Sequence, residues 1–196
     1  MSDLPVVVGI SGASGAAIGL AVLRQLAQAH RPAELVITPA ARRTLNEEVG
    51  PGAEGEAHAL ASATHAPGDI GARVASGSAP VAGMIVAPCS MRSLSAIAHS
   101  LSDNLLVRAA DVQLKERRPL VLIARETPLH LGHLRAMTAV TEMGAIVLPP
   151  APAFYLRPNS VQEIIDQIAA RAIDLLRAGP PLAQAWAPAT TLPPDA

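Results

Sequence analysis

The residues best equipped for chemistry in this chain stand in short turns that follow apolar runs. The first turn is GISGASG at residues 9–15, which opens directly into a helical pattern. Backbone N–H groups and the hydroxyls of Ser11 and Ser14 converge there, an arrangement suited to a phosphate. The spacing is G-x-x-G-x-x-G rather than the dinucleotide G-x-G-x-x-G, and the next strand pattern ends in Thr38, where a dinucleotide protein carries Asp or Glu for the ribose. A mononucleotide fits this pattern better than a dinucleotide, and close strand–helix packing is the plain alternative.

A second turn, APCSMRS at 87–93, sets Ser90, Met91, Arg92 and Ser93 at a helix start, where Ser90 reads equally as an N-cap. Cys89 has no base beside it in sequence and reads as a buried, inert thiol. A third turn, ARETP at 124–128, holds Arg125 and Glu126. They read either as a surface ion pair or as a proton-exchanging acid beside an anion pocket. Lys115 is the only lysine among fifteen basic residues, a compact point charge where the chain otherwise uses arginine. Glu47 and Glu48 close the second helical pattern and read as solvated. His130 and His133 stand three apart, but no Asp, Glu or Cys completes a metal set around them.

These turns require elements that present them together. Apolar runs at 5–10, 34–38, 83–87, 120–123 and 145–148 predict five strands buried on both faces. Helical spacing at 16–29, 39–49, 90–100, 104–115, 130–143 and 160–177 alternates with them, and residues 51–78 read as a polar excursion. Strict alternation of strand and helix predicts a three-layer α/β/α fold, a doubly wound parallel sheet of Rossmann-like or flavodoxin-like type. Its ligand crevice lies beyond the carboxyl ends of the strands. Residues 1–178 read as one domain and 179–196 as a Pro- and Ala-rich tail that packs on a neighbour or stays mobile.

Composition narrows the partners. Half of the residues are apolar but only one Phe, one Tyr and one Trp occur, so the core is aliphatic. Fifteen basic residues against sixteen acidic ones give a net charge of -1, and no block of like charges forms, which argues against nucleic acid and polybasic membrane anchoring. One cysteine, no basic leader and no apolar stretch of about 18 residues make a cytoplasmic location the expectation.

The segments GISGASGA, ASGS at 75–78, APCSMRSLSAIAHS, DNLLVRAADVQLKERRPLVL, RETPLHLGHLRAMT and LPPAPAFYLRP are similar, in order and across nearly the whole chain to residue 177, to the UbiX-type flavin prenyltransferases. That resemblance implies joining the dimethylallyl group of dimethylallyl monophosphate to N5 and C6 of reduced FMN. Prenylated FMN results, for use by a UbiD-type decarboxylase, and no metal is needed. The chain also lacks the D-D-x-x-D motif of magnesium-dependent prenyl diphosphate enzymes. By the same resemblance Gly12, Ala13, Ser14, Thr38, Ser90, Met91, Arg92, Ser93 and Arg125 hold FMN, with Arg108 close to the flavin. Lys115, Tyr155 and Arg171 hold the substrate phosphate, Glu126 relays protons near it, and Ser14 and Glu48 assist around N5. A homo-oligomer, a dodecamer with sites between subunits, is implied as well. Thr38, Ser93, Ile18 and Leu156 stand where many relatives carry Ser, Thr, Tyr and His.

Two other readings compete. An FMN-dependent cysteine decarboxylase of the same fold would show PASANT where this chain has PCSMRS. A non-catalytic FMN carrier would keep the glycine and serine turns without needing Lys115, Glu126, Tyr155 and Arg171 together.

Overall fold

Strand residues alternate between two apolar layers, and this alternation organises the molecule. In a computed structural model, which describes residues 4–187, six parallel strands form one sheet. They are β1 (Val6–Ile10), β2 (Ala33–Ile37), β3 (Ala63–His65), β4 (Gly83–Cys89), β5 (Leu120–Ala124) and β6 (Ile146–Val147). Val6, Val8 and Ile10 face one side with Leu35, Ile85 and Val121, while Val7, Val36, Met84 and Leu122 face the other. Burial on both faces is what makes these strands short continuous apolar runs.

The first layer is covered by α1 (Ala16–Gln28), α2 (Pro39–Glu48), α3 (Ala53–Leu60) and α7 (Val161–Asp174). The second is covered by α4 (Met91–Ala98), α5 (Leu105–Lys115) and α6 (Leu131–Glu142). Thr38, Ser90, Asn104 and Ser160 cap α2, α4, α5 and α7 by accepting the third helical N–H.

The strand order is β3-β2-β1-β4-β5-β6. The chain runs outward from β1 to β3 and then returns past β1 to build β4 to β6. Strand order therefore reverses between β1 and β4, and the two chains leave their carboxyl ends towards opposite faces.

Residues 51–78, expected to be a polar excursion, contain α3, the edge strand β3 and a 3-10 turn at Arg73–Ala75. The sequence hid them because β3 is three largely exposed residues and α3 buries only Ala53 and Ala57. The excursion is held by a buried carboxylate: Glu34 on β2 accepts from His65 Nε2 at 2.8 Å and Arg73 Nη1 at 2.6 Å. Two cationic or polar partners offset the cost of burying that charge. Within the stretch read as a tail that packs on a neighbour or stays mobile, residues 182–184 hydrogen-bond to the chain's own α7. Residues 188–196 lie outside the described residues.

Replacing Glu34 by Ala strands His65 and Arg73 and unpins the excursion. Urea denaturation of Glu34→Ala is expected to show a loss of about 2–3 kcal/mol, and an unchanged midpoint would show that the excursion is held by its apolar contacts alone.

Candidate active site

Where strand order reverses, the first two turns are joined by one side chain. Ser11 is 1% exposed. Its hydroxyl donates to the Pro88 carbonyl at 2.8 Å and accepts from the Ser90 N–H at 2.7 Å, and its own N–H donates to Pro88 O at 3.2 Å. The Arg125 N–H donates to the Cys89 carbonyl at 3.2 Å, which brings the third turn to the same place. The sequence offers the Ser11 hydroxyl to a phosphate, and the structure corrects this by using it inside the fold. A hydroxyl in a glycine loop looks ligand-facing, and only the fold shows that this one is turned inward.

The amides at the start of α1, read from sequence as open to a phosphate, are partly occupied. Glu48 Oε2 at the end of α2 accepts from Gly15 N at 2.7 Å and Ala16 N at 3.0 Å, with Ser14 immediately before these amides. Gly15 caps α1 at φ +102°, a left-handed conformation that offers no capping side chain, so Glu48 supplies the missing acceptor from another helix. Burial alone would raise the Glu48 pKa. The N–H of Ala16, the Ser14 hydroxyl, the N–H of Gly15 and the charge of Arg125 outweigh it and hold the carboxyl below its ordinary value. Glu48 is thus an ionised clamp on the loop, not a merely solvated residue. Gly12 is needed for close approach, since a Cβ there would lie 2.3 Å from the Ala40 Cβ at the start of α2.

The open anion slot lies instead at α4. Ser90 Oγ accepts from Ser93 N at 3.3 Å and contacts Ser93 Oγ at 3.2 Å, and the first-turn amides of Met91 and Arg92 have no acceptor among the described residues. Thr38 Oγ1 accepts from Ala41 N at 3.2 Å across the crevice. Cys89 is fully buried, and burial pushes its thiol up to about 12, so it is protonated and unsuited to nucleophilic work.

Other expected residues lie elsewhere in the chain. Arg92 is paired with Asp103 in the loop before α5. Arg108 Nη1 donates to Asp111 at 2.9 Å and its Nε to the Ala75 carbonyl at 3.3 Å. Glu126 is exposed and accepts from Thr127 N at 3.0 Å. Lys115, paired with Glu116, sits at the end of α5 against Gly77, beside the segment that enters the amino end of β5. Glu126 follows the carboxyl end of β5, so one chain holds the two about 15–20 Å apart, the length of the strand between them. Tyr155 and Arg171 both line a cavity of about 410 Å³ whose wall includes Leu148, Asp174 and Trp186. Among the described residues no group of three His, Cys, Asp or Glu side chains is arranged to hold a metal, and no helix is long and apolar enough to cross a membrane.

Comparison with known proteins places this geometry in a family. Residues 1–173 match the Flavoprotein family model. Flavin prenyltransferase UbiX of Thauera aromatica is 52% identical over 169 residues, covering 86% of this chain and 87% of that one. The chain belongs to the flavin prenyltransferase family. Among solved relatives, AnUbiX in complex with FMN and dimethylallyl pyrophosphate is 44% identical with a TM-score of 0.86, covering 89% of this chain and 92% of that chain. A dodecameric FMN-dependent UbiX-like decarboxylase from Escherichia coli O157:H7 is 40% identical with a TM-score of 0.89, covering 94% and 100%. The two family departures outside the binding turns are now placed. Ile18 is buried in the core beside Gly15, and Leu156 lines a separate cavity of about 800 Å³ between α1 and α7.

Because the folded-state pKa of Glu48 is the lower one, its stabilising effect is complete above the ordinary carboxyl range and is lost as pH falls through the folded value. Glu48→Gln is therefore expected to melt about 2–4 °C below the parent at pH 7. Melting curves of the two should converge as the solution is acidified, and a gap that persists into acid would show that the charge is irrelevant.

Proposed function

We infer that the chain transfers the dimethylallyl group of dimethylallyl monophosphate to N5 and C6 of reduced FMN, releasing phosphate and yielding prenylated FMN for a UbiD-type decarboxylase. The observation that carries this reading is the crevice stitched by Ser11. Hydroxyls and free helix N–H groups for a mononucleotide stand at α4, with the Glu48-clamped loop opposite. Those donors fit the phosphate and ring edges of a flavin mononucleotide. FMN, bound reduced, supplies the nucleophilic N5 and C6.

The chain's own residues handle charge and protons. Ser90, Ser93 and the amides of Met91 and Arg92 hold the flavin phosphate, Thr38 and Arg125 flank it, and Gly12 and Ala13 let the ring approach the backbone. Ser14, oriented by ionised Glu48, presents its hydroxyl towards N5. Lys115, Tyr155 and Arg171 hold the donor phosphate, so negative charge developing on the departing oxygen meets fixed cations. Glu126 gives a proton to that phosphate as the C–O bond breaks and the N5–C bond forms. The proton lost from N5 is matched by one gained at the allylic double bond, and the Glu126 carboxylate takes the proton that C6 loses as the ring closes. Arg108 borders the flavin. Residues 1–178 carry this machinery as one domain, and the tail serves it.

Lys115 and Glu126 lie at opposite ends of the sheet in one chain, so a site that needs both draws on two copies. This supports a homo-oligomer, the dodecamer found for the E. coli relative, working in the cytoplasm.

Mixing the protein with FMN, dithionite and dimethylallyl monophosphate is expected to give a flavin heavier by one C5H8 unit in the mass spectrum. Recovery of FMN alone would leave a carrier. Glu126→Gln should bind FMN normally and prenylate it roughly tenfold or more slowly, and parental single-turnover rates would remove Glu126 from the mechanism. Co-assembly of Lys115→Ala with Glu126→Gln should raise activity above that of either variant alone, because mixed sites receive one intact residue from each chain. If mixing restores nothing, both residues serve the same copy.

A further inference from the structure

On α7, Arg171 and Asp174 are three residues apart, the spacing at which opposite charges on a helix ordinarily pair. Here they do not. Asp174 Oδ1 accepts from Leu182 N at 2.7 Å and Oδ2 from Ala183 N at 3.0 Å, so each carboxylate oxygen is engaged by the tail backbone and turned towards it. Gln167, one turn earlier than Arg171, fastens the same strap in both directions. Its Oε1 accepts from Gln184 N at 3.1 Å and its Nε2 donates to Gln184 O at 3.0 Å. Arg171 makes no ion pair among the described residues, although it shares the 410 Å³ cavity with Asp174, Ala183 and Trp186.

We propose that the docked tail, residues 182–184, keeps Arg171 available to an anion by occupying Asp174. The carboxylate nearest Arg171 along the helix is also the one that would compete with a substrate phosphate for its guanidinium. Two backbone N–H donors satisfy that carboxylate without adding a charge, so its pull on Arg171 is reduced while its own hydrogen bonds are met. Asp174 is thus a positioning residue: it fixes the strap, and the strap diverts it. The inference rests on the reading of Arg171 as a phosphate ligand and deepens it by naming what holds that arginine free.

The arrangement predicts a suppression that a purely structural tail would not show. In the intact chain, Leu182→Pro with Ala183→Pro removes both N–H donors and leaves Asp174 charged and unoccupied. Hydrogen exchange at the Gln184 amide reports strap release, and titration of the FMN-saturated protein, in which the α4 slot is filled, with inorganic phosphate in a calorimeter reports the donor-phosphate site. Release is expected to weaken phosphate binding about threefold. Asp174→Ala also frees the strap but leaves phosphate binding near the parental value, and adding Asp174→Ala to the proline pair restores what the prolines lost. Continued weak binding in the triple variant would overturn the proposal, since the strap would then act only as a wall. Unchanged phosphate affinity or unchanged Gln184 protection in the proline pair would overturn it as well. In the FMN-saturated protein Arg171→Gln should weaken phosphate binding roughly tenfold or more in every background. If it does not, the reading of Arg171 as a ligand fails, whereas Arg171-dependent binding without suppression defeats only the role of the strap.

Discussion

Everything in the crevice depends on a buried hydroxyl. β1 and β4 lie side by side, but their chains depart to opposite faces of the sheet, so the Ser11 N–H to Pro88 O bond is the last rung between the two turns that follow. The Ser11 hydroxyl extends that connection by giving its proton to Pro88 and taking one from Ser90. Donor and acceptor capacity are both used within an apolar surround, where an unmet polar group is expensive. The bond fixes Ser90 as the cap of α4 and thereby aims the free amides of that helix. Arg125, tied to Cys89, inherits its position from the same framework.

Charge in the site is managed by pairing rather than by accumulation. Arg92, Arg108 and Lys115 each have a carboxylate partner within the chain, at Asp103, Asp111 and Glu116. The exposed pairs of Arg92 and Lys115 are weak and exchange readily for a phosphate, and the Arg108 pair is half-buried. Arg125 and Arg171 make no ion pair among the described residues. Glu48 adds the opposite device, a carboxylate brought to a helix start to satisfy amides that the left-handed Gly15 leaves open. The crevice therefore holds its loops in shape before any ligand arrives, and its cations are either free or cheaply freed.

The parallel sheet and its two apolar layers were legible because period and burial are properties of neighbours in the chain. PVVVGI, GMIVA and LVLI are apolar on every residue, and only a strand covered on both faces needs that. β3 and α3 were not legible, because an edge strand of three exposed residues carries no pattern and is held by Glu34 from another strand. At the site, Ser90 and Ser93 were readable as a helix start from their spacing. The inward turn of Ser11 and the clamp by Glu48 were not, since each depends on a partner more than thirty positions away.

The amino-acid order alone determined the fold class, the three turns and the residue types gathered in them, for these follow from local periodicity and turn chemistry. Tertiary structure decided which groups face inward, which helix start is left open, and that Lys115 and Glu126 occupy opposite ends of one sheet. It also turned Asp174 from Arg171 to the tail. Those outcomes depend on how distant segments meet when the core is buried, and no spacing along the chain encodes that distance directly.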